Sequence, residues 1–205
     1  MMGWQEILTQ LRGDTLRSRF LRACADALAL QIKTIAEIGV HKGVLSRELR
    51  QFFPEAHLTL VDPWRHIPDL ERLNGTMHRA ARHDPGGNAA EWARIFAEVQ
   101  AAFKNDPAVR FIQALSAEAA PQVPDESLDL CYIDGDHRYQ FVVDDIRLWT
   151  PKIKPGGLLC GHDYKISRFP NAPLYQVVAA VNDTLGRDNI VLGRSMQWLW
   201  RKPCP

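Results

Sequence analysis

Thr34-Ile35-Ala36-Glu37-Ile38-Gly39-Val40-His41-Lys42-Gly43 is the stretch that decides the fold. A short apolar run ends on a glycine, passes through a brief loop and reaches a second glycine. Val44, Leu45, Leu49, Phe52 and Phe53 then recur at helical spacing until Pro54 stops them, so the segment reads strand, glycine turn, helix. Leu58-Thr59-Leu60-Val61-Asp62 follows as a second short strand closing on an acid. The alternation continues outward. Trp92, Ile95, Phe96, Val99 and Phe103 mark a helix, Val109–Ile112 a strand, and Ser127–Asp134 another strand that again ends on an acid. A helix over 138–150 leads through Lys154-Pro155-Gly156-Gly157 into the strand Leu158–Gly161, which stops at His162-Asp163-Tyr164. Strands alternating with helices predict an α/β, Rossmann-like, doubly wound and mostly parallel sheet with helices on both faces.

The flanks complete this picture. Residues 4–30 carry apolar positions at helical spacing and predict two amphipathic helices with a break near Gly13-Asp14. A helix from Leu174 to about Leu185 precedes two short strands, 189–192 and 196–200, joined by Gly193-Arg194-Ser195; they read as a C-terminal antiparallel hairpin. Trp198 and Trp200 share a face of it and either pack inward or form an edge for a homo-oligomer. Residues 63–90 are polar and broken by Pro68, Gly75, Pro85, Gly86 and Gly87, a longer excursion than a compact α/β unit needs, and read as a lid-like insertion. There is no internal repeat, and 1–205 reads as one domain.

Composition narrows the partners. At 46% hydrophobic residues the chain can build a core, and a net charge of +1 leaves no basic excess for a nucleic acid. Cys24, Cys131, Cys160 and Cys204 form no CxxC pair; Cys131 and Cys160 lie inside apolar runs and read as core thiols. Neither a signal peptide nor a membrane span is expected, so the expectation is a cytoplasmic protein with no membrane partner.

In such a sheet, ligands sit outside the carboxyl ends of the strands. Those ends offer Glu37 and Gly39, Asp62, Gln113 to Ser116, Asp134, and His162 with Asp163. Gly39 and Gly43 let the backbone turn and approach a ligand closely. Their G-x-x-x-G spacing, with His41 where the dinucleotide fingerprint carries a glycine, disfavours NAD. Glu37 repels phosphate and suits an ammonium group, unless it pairs with Lys33 or Lys42. Asp62, about twenty residues beyond Gly39, is spaced for ribose hydroxyls. Trp64, after Pro63, lies over an adenine or anchors the excursion, and Ser116 sits where an adenine edge is held. Asp144 and Asp145 read as solvent-facing helix residues. His66, His78 and His83 match no metal-ligand spacing.

Ala36–Gly43, Ile133-Asp134-Gly135-Asp136-His137 with Tyr139, and Lys154-Pro155-Gly156-Gly157 through His162-Asp163-Tyr164 occur in an order that resembles class I S-adenosylmethionine-dependent methyltransferases. The resemblance is greatest to the small-molecule branch of macrocin- and catechol-type O-methyltransferases, and it covers about residues 33–165. It implies a seven-stranded sheet whose last hairpin supplies a reversed strand. It implies S-adenosylmethionine across the strand ends, held by Glu37, Gly39, Val40, His41, Lys42, Gly43, Asp62, Pro63, Trp64, Ser116 and Asp134. Metal-dependent members hold a divalent ion at positions matching Asp134 and Asp163. His162 stands where macrocin-type enzymes carry another acid, so it is either a third ligand, which weakens magnesium relative to manganese, iron or zinc, or a general base. Asp136 and His137 are the other candidate proton acceptors.

Four activities follow: a metal-assisted O-methyltransferase acting on a small-molecule hydroxyl; a metal-independent methyltransferase using His137 or His162 on oxygen or nitrogen; a non-catalytic S-adenosylmethionine-binding module; and an NAD-dependent oxidoreductase. The last lacks its glycine motif.

Overall fold

The computed structural model describes residues 3–9, 17–67, 88–165, 176–193 and 195–204. β1 (Thr34–Ile38), β2 (His57–Asp62), β3 (Val109–Gln113), β4 (Leu128–Ile133), β5 (Ile153–Gly161), β6 (Ile190–Leu192) and β7 (Trp198–Arg201) form one seven-stranded sheet in the order β3-β2-β1-β4-β5-β7-β6. The first five strands run parallel, and β7 runs antiparallel to both β5 and β6. The expected sheet and its closing hairpin are therefore both present. Chain order reverses between β1 and β4. The crevice outside the carboxyl ends of these two strands is the topological switch point, where open α/β sheets bind ligands.

Side-chain alternation along each strand separates two apolar layers. Ile35, Leu58, Leu60, Leu130, Tyr132, Leu158 and Cys160 face α2 (Arg17–Ala27), α3 (Val44–Phe52) and the helix Ala89–Ala102, through Phe20, Leu21, Cys24, Leu45, Leu49, Ile95 and Val99. On the opposite face lie Ala36, Ile38, Val61, Cys131, Ile133, Leu159 and Trp198. They meet the helices Tyr139–Trp149 and Val177–Leu185 through Val142, Ile146, Trp149, Ala180 and Val181. With α1 as Trp4–Thr9, the helix Ala89–Ala102 is α4, the short Ser116–Ala119 is α5, Tyr139–Trp149 is α6 and Val177–Leu185 is α7. Burial on both faces explains why the central strands read as near-continuous apolar runs. Cys24, Cys131 and Cys160 are buried free thiols, and Cys204 is exposed.

The lead-in to β5 differs from expectation. Lys154-Pro155-Gly156-Gly157 belongs to the strand, because Gly156 N–H donates to the Lys202 carbonyl and Lys202 N–H to that of Gly157. The register slips opposite Leu128 and Leu130. The Gly13-Asp14 break, most of the 63–90 excursion with His78 and His83, the start of the C-terminal helix at Leu174, and Arg194 lie outside the described residues. Among the described residues no helix is long and apolar enough to cross a membrane.

Asp129 clamps β1, β4 and β5 together away from the switch point. Its Oδ2 accepts from the Lys33 and Thr34 amides at 2.8 and 2.9 Å and from the Thr34 hydroxyl at 2.9 Å, while Lys154 Nζ donates to Oδ1 at 2.7 Å. Burial opposes ionisation, yet Lys154 and these donors hold the carboxyl below its usual range. Asp129→Ala strands several donors at once and is expected to cost about 2–3 kcal/mol in equilibrium denaturation. A change under about 0.5 kcal/mol would mean that water replaces the clamp.

Candidate active site

The β1 strand delivers Glu37 and Gly39 to the switch point. Gly39 has φ 89°, and its missing side chain is filled by protein: a Cβ there would lie 2.3 Å from the Asp134 carbonyl oxygen. That space, expected to lie against a ligand, belongs to the Asp134–Gly135 backbone just past β4. Gly43, at φ 65°, starts α3 against Val99. Between the two glycines, Val40 is buried, His41 half-buried in a left-handed turn, and Lys42 exposed. Glu37 shares a face with Ile35 and so points toward α3, where Ser46 Oγ donates to its Oε2 at 2.6 Å. Its hydrogen bond is thus with a serine rather than with Lys33 or Lys42. Burial raises its pKa to about 8, and the charge of Asp134 adds to the shift.

Asp62 at the end of β2 organises the neighbouring loops. Its Oδ2 accepts from the His41 amide at 2.8 Å and its Oδ1 from the Trp64 amide at 2.7 Å. Desolvation raises its pKa and these amides oppose the rise. After half-buried Pro63, the Trp64 backbone turns left-handed at φ 40°. Its ring stacks on Phe96 with centroids 4.3 Å apart, and its Nε1 donates to the His41 carbonyl at 2.9 Å. At 2% exposure Trp64 offers no face to an adenine; it anchors the loop, which corrects the stacking expectation.

Ser116 is also committed internally. Trp149 Nε1 donates to its Oγ at 2.9 Å, and the hydroxyl bonds to Asp145. The side chain therefore braces α5 against α6. Asp145 is not solvent-facing but 6% exposed, and burial raises its pKa to about 7.

The β4 and β5 ends form the chemical centre. Asp134 Oδ2 accepts from Arg17 at 2.6 Å, while its Oδ1 lies 3.6 Å from His137 Nε2 and 3.8 Å from His162 Nδ1. Asp163, in a left-handed backbone at φ 54°, brings Oδ2 to 3.3 Å from His137 Nε2 and 3.4 Å from His162 Nδ1. Lys165 Nζ lies 3.4 Å from its other oxygen. Burial works against the ionised Asp163, but His162, His137 and Lys165 overcome it and hold the carboxyl well below its usual range. Burial likewise disfavours a charged His137, yet Asp134, Asp163 and Asp136 raise its pKa above the ordinary histidine value. Asp134, His162 and Asp163 each present a ligand atom within 4.8 Å of the others. Asp136 behaves differently from expectation: Arg138 Nε and Nη2 hold both its oxygens at 2.6 to 3.0 Å, so its lone pairs are already engaged.

Sequence reading missed Arg17, Ser46 and the Tyr132–Gln197 contact, whose hydroxyl–amide distance is 3.4 Å. None of them belongs to a local motif. Position 145, however, lies on the buried stripe of Val142, Ile146 and Trp149, a signal that could have found it.

Comparison with known proteins agrees with this fold. In fold, the chain is similar to the O-methyltransferase NovP, with TM-score 0.60 and 20% identity over 91% of this chain and 79% of that one. It is also similar to the O-methyltransferase TomG from Streptomyces achromogenes, solved in complex with S-adenosylmethionine, with TM-score 0.56 and 12% identity over 98% and 91% of the two chains. An uncharacterized protein of Sinorhizobium fredii is 35% identical over 65 residues, which are 30% of this chain and 7% of that protein. An uncharacterized protein of Acanthamoeba polyphaga mimivirus is 40% identical over 55 residues, 27% of this chain and 23% of that one. The matches thus span under a quarter of these relatives' length. A family model described as a methyltransferase domain matches residues 36–164, from β1 through the His162-Asp163-Tyr164 segment. The chain belongs to this methyltransferase-domain family.

Proposed function

We propose that the protein transfers a methyl group from S-adenosylmethionine to a hydroxyl oxygen of a small molecule, with a divalent ion at the β4 and β5 ends. The observation that carries this reading is the two-sided environment of Asp134. One oxygen faces Arg17 at the switch point, and the other faces His137 and His162. A donor site and an acceptor site thereby meet at one carboxylate. Methyl transfer is an in-line displacement at a sulfonium carbon, so the protein must align the nucleophile and accept its proton. Asp134 supplies negative charge for the cationic donor, and Glu37, whose burial raises its pKa to about 8, adds a carboxyl beside it. A ribose would use the lone pairs that Asp62 keeps beyond its amide bonds.

The donor set fits a metal. Ligands about 2.1 Å from an octahedral ion are about 3 to 4 Å apart, and the His162 nitrogen lies 3.4 and 3.8 Å from the Asp163 and Asp134 oxygens. Asp134, His162 and Asp163 would hold the ion, and the imidazole favours manganese over magnesium. Such an ion lowers the pKa of a bound hydroxyl. His137 then serves as the proton acceptor, with Asp134 and Asp163 stabilising the imidazolium it becomes. Asp136 is excluded by its pairing with Arg138.

Calorimetry with S-adenosylmethionine and with NAD tests the donor. Binding of the first and not the second is expected, and tight NAD binding with no S-adenosylmethionine binding would overturn the reading.

A further inference from the structure

Arg17 is absent from every motif, yet it lies at the switch point. It opens α2, and its Nη1 donates to Asp134 Oδ2 at 2.6 Å. It also bonds to the Tyr132 hydroxyl and exerts its field on Glu37. The carboxylate at the end of β4 thus pairs with this guanidinium at the switch point, and the β1 carboxyl of Glu37 lies within its field. The side chain is 23% exposed, so part of the fork remains open to solvent. An arginine carries five N–H donors in a plane that matches a carboxylate bidentately. The bond to Asp134 uses one of them, and the bond to Tyr132 uses another.

A ligand entering this crevice meets an acid–base–acid arrangement. A simple cation would be repelled by Arg17, and a simple anion by Asp134. A zwitterion with adjacent ammonium and carboxylate groups matches both signs at once. The amino-acid end of the proposed donor is such a group.

We propose that Arg17 binds the α-carboxylate of the amino-acid moiety of S-adenosylmethionine while Glu37 and Asp134 face its ammonium. This rests on the donor reading above. The guanidinium keeps its contact with Asp134 and offers its remaining donors to the incoming carboxylate. It therefore separates complete cofactors from adenosine thioethers that lack the amino-acid end.

The test uses the full chain with two probes, S-adenosylhomocysteine and 5′-methylthioadenosine, which share the adenosine thioether and differ in the amino-acid end. Arg17→Gln is expected to raise the Kd of S-adenosylhomocysteine about ten- to a hundredfold and to leave that of 5′-methylthioadenosine within about twofold. Arg17→Lys should recover part of the loss, because a point charge replaces a fork. An equal loss for both probes would assign Arg17 a structural role and overturn the proposal, as would unchanged S-adenosylhomocysteine binding in Arg17→Gln. If the unsubstituted chain binds neither probe, the donor reading itself falls. Binding of both probes with no selective loss removes only the role of Arg17.

Discussion

A Gly39→Ala chain is expected to lose at least about 3 kcal/mol of stability, together with donor binding. Two effects act at one position. The backbone stands at φ 89°, where a side chain is strained, and the new Cβ would lie 2.3 Å from the Asp134 carbonyl oxygen, 2.6 Å from its carbon and 2.7 Å from the Gly135 nitrogen. All three obstacles are main-chain atoms, so no rotamer change relieves the overlap. The β1 and β4 ends must separate, and the Asp134 N–H to Ile38 carbonyl bond of 2.8 Å lies in the path. Asp134 moves with them, carrying both sides of the proposed site. Urea denaturation and calorimetry check this. Gly3→Ala, with no atom within 4 Å of the added carbon, is the control. A Gly39→Ala chain within 1 kcal/mol of the unsubstituted protein would show that the sheet edge yields more easily than its geometry implies.

The largest kinetic effect is expected at His137. Loss of a positioned general base typically lowers rates about 10²- to 10⁴-fold, and His137→Gln should fall in that range for kcat. Donor affinity should change by less than about threefold, because the ring faces the Asp134 Oδ1 and Asp163 side of the centre. Asp136→Asn, whose carboxylate is already held by Arg138, should cost less than about tenfold. Chelation with EDTA and manganese add-back should abolish and restore activity in the unsubstituted chain. A His137→Gln variant retaining more than a tenth of kcat would move the proton to another acceptor. Full activity after exhaustive chelation would remove the ion from the reaction.

Much of the fold could be read from local pattern because its strands are short, apolar and punctuated by acids. The Gly39 turn, Asp62, Asp134 and Asp163 all stand at strand ends, where topology brings distant segments to one edge. What escaped depends on which way a side chain turns after its strand. Trp64 follows an acid-terminated strand, as a stacking residue would, but its left-handed backbone aims the ring at Phe96. Asp136 has the chemistry of a base, yet the arginine two residues on occupies both its oxygens. Arg17 is separated from Asp134 by more than half the chain, and only the packing of α2 on the sheet brings them together. Nothing local announces that the indole of Trp149 donates to the hydroxyl of Ser116.

Asp134 gives its two oxygens to two different neighbours, and this has a thermodynamic consequence. A carboxylate shared in this way cannot be polarised on one side without altering the charge seen on the other. Occupancy of the Arg17 side and occupancy of the histidine side are therefore linked equilibria. Whatever factor one ligand imposes on the affinity of the second, the second imposes on the first. A cation among His162, Asp163 and Asp134 would draw electron density away from the Arg17 contact and so weaken that ion pair. The sign of this coupling decides whether the two sides fill cooperatively or in opposition.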